Sequence, residues 1–407
     1  MKKVFIISYS CCPERQSELA IGWNFVKNLS KENNLTVLTR AKNKEQITAF
    51  VEKSNDKYLK KIEWLFYDFN KPFLKLKRIL GTQLYYFFWQ KFSYKLYKKK
   101  IIEEGFDIIH HLNFGIVWMY SPFYKLPIKF IWGPLGGGDS MPWSFLLNEN
   151  LSDAIREIMY KILVFSTRNF SIQNKLCKRY SSEVLYRTKQ VAKRHDNSNF
   201  KKNNIICETG FDLDKIKYIS YNDFSKVRAI TIGRMDYWKG IFYAVKGFEK
   251  FILNGGKGEL TIIGNGKGFI KIKKYLKRKN LNNFIKLKGK LDYSQYLELL
   301  GKSNILVYPS FRDGGSFTVL ESMAMGKPVL CSCNSGPAEM VTDETGFIID
   351  AISPDQYVND ISNTLFNIQN NPKIVEQKSI NSRKRAVNFY TWENHAKKIS
   401  KIYNKLI

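Results

Sequence analysis

Short runs of apolar residues alternate along this chain with longer segments whose apolar residues recur every three to four positions. The first pattern predicts buried strands and the second predicts amphipathic helices. In the first half the predicted strands are residues 4–8, 35–39, 62–69, 106–112 and 128–132, and the predicted helices are 21–30, 79–104 and 151–170. In the second half the predicted strands are residues 227–232, 260–263, 284–287, 305–308, 328–331 and 346–349. This alternation is typical of parallel sheets covered by helices on both faces.

The two series of elements predict two domains. Residues 201–224, with the turn-like stretch "ETGFDLD", separate them, and 407 residues suit two or three domains at roughly 100–200 residues each. We expect each domain to be a doubly wound parallel sheet. Ligands of such sheets bind at the carboxyl ends of the strands, so the residues that follow each strand are the first place to look for chemistry.

One candidate site follows the strand that ends at residue 232. Arg234 comes two positions after it, and Lys239 stands at the start of the next predicted helix. Two cations at these places could clamp a diphosphate. The alternative is a solvated pair on the surface.

A second candidate lies in "VYPSFRDGGSFTVLESMAMGKPVL", where a strand is followed by a glycine-containing loop and a helix predicted over residues 316–325. The helix start offers backbone donors and a positive dipole end to phosphate, and glycines allow close approach. The residues expected to line this phosphate site are Gly314, Gly315, Ser316, Phe317 and Thr318. Asp313 and Glu321 place two carboxylates at different depths beside it. Without further information, a helix-capping acid and an unrelated surface glutamate explain these two residues equally well.

Five motifs, in order and spacing, resemble a known family. They are "GRMDYWKG", "IIGNGKG", "PSFRDGGSFTVLESMAMGKPVL", "SGPAEMV" and "TGFII", and they are similar to the nucleotide-binding half of GT-B glycosyltransferases of family 4. The first half adds "SYSCCPERQSELAIGW", "DIIHHLNFG" and "WGPLGGG", and the chain closes on "FYTWENHAKKISKIYNKL". The resemblance therefore covers nearly the whole chain.

The resemblance implies an α/β fold of the GT-B class, with two Rossmann-like doubly wound parallel-sheet domains facing a central cleft. Residues 1–208 would form the acceptor-side domain, and residues 209–389 would form the nucleotide-sugar-binding domain. The last helix, about residues 390–407, would pack back on the first domain.

The resemblance also implies roles for the second-half residues. Arg234 and Lys239 match the pair that neutralises the donor diphosphate. Asp313 falls where the family has a glutamate that touches the donor sugar, and Glu321 matches the acid that binds the ribose hydroxyls. Because aspartate is one methylene shorter, either the loop lies closer to the sugar or the contact is weaker.

The first half departs from the family at its first loop. Gln16 and Ala20 stand where glycines commonly flank the Ser17-Glu18 pair. Donor phosphate binding should therefore depend more on the second domain. Gly137, within a run of three glycines, could contact donor or acceptor through its backbone, or could serve only a tight turn.

Two adjacent histidines end the strand predicted at residues 106–112. The family places an active-site histidine here, and successive strand side chains point to opposite faces, so at most one should enter the cleft. We favour His111 over His110, with a role in bonding the donor sugar or accepting charge near the acceptor hydroxyl, because histidine titrates near neutrality. Two packed histidines are the alternative.

The function implied is that of a retaining hexosyltransferase that needs no metal and no other cofactor. It would move a sugar from a nucleoside diphosphate sugar, expected to be a UDP-sugar, to a hydroxyl of a glycan or lipid-linked glycan in surface polysaccharide or lipopolysaccharide-type assembly. Front-side attack would let the leaving phosphate take the acceptor proton. An epimerase or phosphorylase on the same fold is an alternative.

The charge balance suggests a second class of function. The chain has 66 Lys and Arg against 36 Asp and Glu, a net charge of +30. Such a surface attracts anions, which could be nucleic acid, anionic lipid or a phosphorylated substrate. Since no nucleic-acid-binding motif is found, we expect no nucleic-acid partner, but a basic nucleic-acid or membrane binding protein without catalysis stays as an alternative.

Residues 71–100 concentrate this charge, with nine Lys or Arg, nine aromatics and no acid. They could lie on an anionic membrane, or form a core helix whose lysine stems reach water. The apolar series Tyr85, Trp89, Phe92 and Leu96 fits both. No apolar run reaches the roughly 18 residues of a membrane span, and the six cysteines suit reduced structural thiols. We therefore expect a cytoplasmic protein, with the inner face of the membrane as a candidate partner.

Overall fold

A computed structural model describes residues 1–15, 17–196, 204–220 and 226–407. For residues 71–80 it describes the backbone only. The chain forms two compact units. The first comprises Met1–Gly138, Ile162–Glu208 and Trp392–Ile407, and the second comprises Asp139–Lys161 and Thr209–Thr391.

Each unit contains a six-stranded parallel sheet. The first sheet has the strands β1 (Lys2–Ser8), β2 (Asn33–Arg40), β3 (Glu63–Tyr67), β4 (Ile108–Asn113), β5 (Lys129–Leu135) and β6 (Glu183–Tyr186). The second has β7 (Val227–Ile232), β8 (Gly258–Ile263), β9 (Ile285–Gly289), β10 (Ile305–Tyr308), β11 (Val329–Ser332) and β12 (Gly346–Ile349). Their orders are β3-β2-β1-β4-β5-β6 and β12-β11-β10-β7-β8-β9, the doubly wound arrangement that the alternation predicted.

Helices connect the strands, as parallel neighbours require. The first seven are α1 (Glu18–Leu29), α2 (Lys44–Lys53), α3 (Lys71–Glu103), α4 (Trp143–Leu146), α5 (Leu151–Phe170), α6 (Ile172–Tyr180) and α7 (Lys189–Asp196). The other eight are α8 (Ile241–Leu253), α9 (Phe269–Arg278), α10 (Tyr293–Lys302), α11 (Phe317–Ala324), α12 (Pro337–Met340), α13 (Pro354–Asn370), α14 (Pro372–Tyr390) and α15 (Trp392–Leu406).

In the first unit, α3 is a core helix over much of its described length. Its axis breaks at Gly81, which takes a φ of 77°, and Tyr85, Tyr86 and Trp89 are buried in the aromatic core beyond that break. Phe92 is exposed, so the helix covers the sheet with one face only. The aromatic run predicted at residues 71–100 therefore packs largely inward, as far as its side chains are described.

The last helix belongs to the first unit. α15 packs on α1, where Trp392 meets Phe25 edge to face with ring centroids 5.8 Å apart. The Tyr403 hydroxyl bonds to His110 Nδ1 at 2.6 Å, which ties the helix to the central strand β4.

The predicted domain boundaries differ from the observed units at residues 139–161. The sequence placed them with the first domain, whereas the structure places them in the second unit. The reason is packing: Met141, Phe145 and Leu146 are buried in the second unit's hydrophobic core. The buried carboxylate of Glu157 also has all its partners in that unit. The strand β6 was not predicted: its sequence is EVLY, so only three residues follow the polar Glu183.

None of the helices in the described ranges combines the length and the hydropathy of a membrane span.

Candidate functional site

The two candidate loops of the second half follow neighbouring strands. β7 and β10 pair at the centre of the second sheet, with Ile305 opposite Ala229. The chain continues from β7 to one side and from β10 to the other, so the point between them is the topological switch where ligands of such sheets bind. The Phe311 N–H donates to the Trp238 carbonyl at 2.9 Å and joins the two loops directly.

Gly240 makes this close approach possible. It has a φ of 65° at the start of α8, and a Cβ there would lie 2.1 Å from the Pro309 carbonyl oxygen. A larger residue would push the two loops apart. The glycine after Lys239 therefore sets the position of that lysine relative to the loop after β10.

The structure brings Lys239 and Asp313 into direct contact. Lys239 Nζ lies 2.7 Å and 2.8 Å from the two oxygens of the Asp313 carboxylate. Tyr308, the last residue of β10, donates its hydroxyl to Asp313 at 2.9 Å and accepts from Lys239 at 3.2 Å. The sequence predicted Lys239 and Asp313 as site residues, but it predicted neither their ion pair nor the role of Tyr308.

The ion pair sets the protonation states of Lys239 and Tyr308. Burial by itself lowers the pKa of Lys239, but Tyr308 and the Asp313 carboxylate outweigh burial and hold that pKa above its ordinary value. Burial, with the nearby Asp313 charge, raises the pKa of Tyr308 to about 12. At neutral pH the lysine is therefore a cation and the tyrosine a neutral donor.

Arg234, the other predicted cation, is placed differently. Its side chain is 72% exposed and forms a 3.2 Å ion pair with Asp236. The guanidinium lies 5.8 Å from the centroid of the Trp238 ring. Arg234 thus presents a solvent-exposed charge, whereas Lys239 is held by Asp313 and Tyr308.

The loop after β10 leads into α11 as predicted. Ser316 is the N-cap, and its side chain accepts from the Val319 N–H, so the helix begins at Phe317. Thr318 lies in the first turn. Gly314 and Gly315 complete the loop, which is fastened from behind because the Gly336 N–H donates to the Asp313 carbonyl at 2.6 Å.

Glu321 lies one turn further along α11 and is buried. Tyr293 donates its hydroxyl to one carboxylate oxygen at 2.8 Å, and Tyr296 donates to the other. Burial raises the pKa of Glu321, and the two hydroxyl donors oppose that rise. The predicted ribose contact would have to share this carboxylate with two tyrosines that the sequence did not single out.

A second buried carboxylate supports both loops. Glu157 of α5 is fully buried and accepts from the Met141 N–H at 2.9 Å. Its other oxygen accepts from the Tyr237 hydroxyl at 2.8 Å and from Arg312 at 2.9 Å. Tyr237 and Arg312 lie two and one residues from Lys239 and Asp313, so one carboxylate joins the segments that carry the ion pair. These partners lie 80 and 155 positions from Glu157 along the chain, and no local pattern could have revealed them.

A cavity of about 190 Å³ opens beside the loop that carries Lys239. Its wall includes the Trp238 ring, three cations and three acids. The cations are Arg156, Lys267 and Lys271, and the acids are Glu149, Asp153 and Asp236. The cavity therefore offers an aromatic ring and charges of both signs to a polar ligand within the second unit.

The two histidines of β4 are both buried in the first unit. His110 bonds to Tyr403 and, through Nε2, to the Gly133 carbonyl at 2.7 Å, while His111 Nε2 meets the Tyr86 hydroxyl at 2.6 Å. Burial lowers the pKa of His110 to about 4 and that of His111 to about 3. Burial therefore opposes the protonation near neutrality that the sequence suggested, and the role of His111 in the reaction stays a prediction.

The glycine run after β5 and the first loop differ in backbone. Gly137 has a φ of 77° and lies against Ile116 and Trp118, so its turn requires a glycine. Ser17 has a φ of 60° although it is not a glycine. The neighbouring Gln16 lies outside the described residues, so its effect on that loop stays a prediction.

Arg187 was not predicted and links the same region of the first unit. It forms ion pairs with Glu208 at 2.6 Å and with Glu18 at 3.3 Å, and a Cβ on Gly136 would lie 2.8 Å from its side chain. Its partners are 21 or more positions away, so only the tertiary structure reveals it.

Within the described ranges, no three His, Cys, Asp or Glu side chains converge in the way that metal ligands do. Five cysteines are buried and Cys333 is exposed. Burial raises the pKa of Cys177 to about 12, so this thiol stays protonated at neutral pH.

Two doubly wound parallel sheets, with a charged cluster at the switch point of the second, define the α/β two-domain fold of GT-B glycosyltransferases. Solved structures agree. The lipopolysaccharide outer core galactosyltransferase WaaB superposes with a TM-score of 0.63 at 14% identity, over 100% of both chains. Anabaena HepE in complex with UDP superposes with a TM-score of 0.60 at 14% identity, again over 100% of both.

Sequence comparison identifies the domain that carries the ion pair. Residues 219–402 match the family of glycosyl transferases group 1, so the chain carries a domain of that family. An uncharacterised glycosyltransferase of Methanocaldococcus jannaschii is 28% identical over 218 residues. That match covers 50% of this chain and 53% of the archaeal protein, so the chain spans about half of that relative's length.

Proposed function

We propose that this protein transfers a hexose from a UDP-sugar to a hydroxyl of a glycan or lipid-linked glycan, with retention of anomeric configuration and without a metal ion. What supports this above all is the Lys239–Asp313–Tyr308 cluster, which lies beside the start of α11 in a glycosyl transferases group 1 domain. The structural neighbour from Anabaena was solved with UDP and with UDP-glucose, which favours uridine as the base.

The donor diphosphate would be bound by Lys239, Arg234 and the first-turn backbone of α11. Charge grows on the leaving diphosphate as the sugar bond breaks, and preorganised donors stabilise that charge. Lys239 is already oriented by Asp313 and Tyr308, so little reorganisation is needed. The solvated Arg234 can swing onto the diphosphate when the donor arrives.

The two carboxylates would divide the donor between them. Asp313 has its lysine on one side and can accept from a sugar hydroxyl on the other, while Glu321 can accept from the ribose hydroxyls. The shorter Asp313 is drawn toward Lys239, so the sugar contact falls on a carboxylate whose position is set by an ion pair.

Retention would follow from front-side attack, in which the leaving phosphate oxygen takes the proton of the acceptor hydroxyl as the new glycosidic bond forms. His111 suits this scheme, since a neutral ring can accept or donate a hydrogen bond without changing charge at pH 7. Both ring nitrogens of His110 already bond within the first unit. No base on the opposite face of the sugar is then needed.

The first experiment is calorimetry with UDP, GDP and ADP, each with and without chelator. We expect UDP to bind, and to bind equally in chelator. A loss of UDP binding in chelator would exclude the metal-independent scheme. Nuclear magnetic resonance of the product formed from a UDP-sugar then gives the anomeric configuration. A protein that binds none of the nucleotides but binds nucleic acid in a salt-sensitive way would instead be the basic binding protein considered from the charge.

A further inference from the structure

The helix α5 turns apolar side chains outward and acidic ones inward. Leu151, Ile155 and Met159 are 77%, 51% and 60% exposed, and Leu147 just before the helix is 91% exposed. In contrast, the helix's two acids, Asp153 and Glu157, are buried. This is the reverse of an ordinary surface helix, whose apolar stripe faces the core.

The exposed apolar side chains that α5 contributes to the second unit lie on one side of the helix. At 3.6 residues per turn each residue advances about 100°, so these side chains span about 100° of the helix surface. They are Leu151, Ile155, Ile158 and Met159. We call this set the α5 face. Exposed apolar side chains grouped in this way mark a binding surface rather than scattered exposure.

Basic residues border the α5 face. By the same helical positions, Arg156 lies on one side of the face and Lys161 on the other. The ammonium of Lys161 sits 3.9 Å from the centroid of the exposed Trp143 ring. Bases flanking an apolar stripe, with an adjacent tryptophan, are the pattern of a helix that lies in a membrane interface.

We propose that the α5 face, together with Trp143 and Leu147, binds the surface of an anionic lipid bilayer. The net charge of +30 and the lack of an exposed acid on α5 both complement anionic headgroups. This proposal rests on the proposed function, because an enzyme that uses a lipid-linked acceptor must reach that acceptor at the membrane surface.

This surface differs from the one that the sequence suggested. The aromatics of α3 that were candidates for membrane contact include Tyr85 and Trp89, which are buried. Phe92 and Leu96 of α3 are exposed, so that helix supplies a matched control for the α5 face.

The test is co-sedimentation of the full chain with phosphatidylcholine vesicles, with and without phosphatidylglycerol, at low and high salt. We expect binding to the anionic vesicles that weakens with salt, since surface charges are screened. The double variant Leu151→Gln with Ile155→Gln should bind at least about tenfold more weakly, because it loses two apolar contacts with the bilayer. Glutamine keeps helix propensity, so the melting temperature should be unchanged.

The control double variant Phe92→Gln with Leu96→Gln should bind vesicles as the parent does. Equal vesicle binding by the α5 variant and the parent would overturn the proposal, and so would loss of binding in the α3 variant alone. A chain that ignores both vesicle types and forms dimers that the α5 substitutions abolish would show that a second copy covers the face. UDP affinity is measured on the same samples without vesicles, so a failure of the proposed function is seen separately from a failure of membrane binding.

Discussion

Glu157 is expected to stabilise the second unit and to hold the two loops that carry the ion pair. The replacement Glu157→Ala removes a fully buried carboxylate and leaves Arg312 without its anion. Breaking a buried ion pair from one side costs about 3–5 kcal/mol. Because Arg312 is 25% exposed and water can reach it, we expect the lower end, about 3 kcal/mol. Glu157→Gln keeps the shape and loses mainly the charge-assisted bond, so about 1.5 kcal/mol is expected.

The same change should weaken nucleotide binding. Without the carboxylate, the segments that carry Tyr237 and Arg312 gain freedom that donor binding must remove again. Fixing the backbone of one residue costs about 1–2 kcal/mol, so a five- to thirty-fold loss of UDP affinity is expected, at about 1.4 kcal/mol per tenfold. Urea unfolding measures the first effect, and calorimetry on the folded variant measures the second.

Glu249 provides the matched control. It is also a buried carboxylate of the second unit, but its side chain meets Tyr275 and Lys279, and neither lies in the loops that carry the ion pair. Glu249→Ala should lower stability and leave UDP affinity within about twofold of the parent. If Glu157→Ala lost stability but kept full UDP affinity, the link between this carboxylate and the donor site would be refuted.

Three further predictions concern the ion pair, the two carboxylates of the donor site and the histidines. Lys239→Ala should raise the activation free energy of transfer by about 2–4 kcal/mol, and it should also destabilise the fold because Asp313 loses its cation. Adding Asp313→Asn should recover stability but not turnover. Unchanged turnover in Lys239→Ala would contradict the diphosphate assignment. Asp313→Asn alone should lower turnover more than UDP affinity, while Glu321→Gln should lower UDP affinity, and equal losses in both would show that the carboxylates do not divide the donor. The pKa values of His110 and His111 lie below the ordinary 6.5, at about 4 and 3, so the folded state is fully stable above pH 6.5 and loses stability as the pH falls. Urea unfolding at pH 7 and pH 4.5 should show that the free energy of unfolding falls by about 2–3 kcal/mol per ring. His111→Asn should lose less over the same step, and identical losses would argue against a neutral buried ring.

The strands and the motif loops could be predicted from the sequence, because their signals are local. β7, β10 and β12 begin and end at the residues predicted, since each is mostly apolar and is bounded by polar or turn residues. The helix predicted over residues 316–325 is α11, which begins one residue later, at Phe317. Strands of this kind are specified by hydrophobic periodicity, and a helix start is specified by a side chain three residues from the backbone group it bonds.

The contacts that complete the candidate site could not be predicted in this way. Lys239 and Asp313 were each singled out, but their ion pair joins residues 74 positions apart, and it exists because Gly240 lets two loops meet at the switch point. Glu157 carried no sequence signal at all. By its pattern, the basic aromatic segment at residues 71–100 could lie on a membrane or form a core helix. The structure buries Tyr85 and Trp89.

What the sequence by itself determined is therefore the identity and order of the elements and the loops where chemistry should be sought. Only the tertiary structure decided which side chains meet. The α5 face shows the physical reason: an amphipathic pattern states that a helix has two faces, but packing decides which face turns inward. In α5 the buried bonds of Glu157 hold the acidic face inside, and this leaves the apolar face exposed.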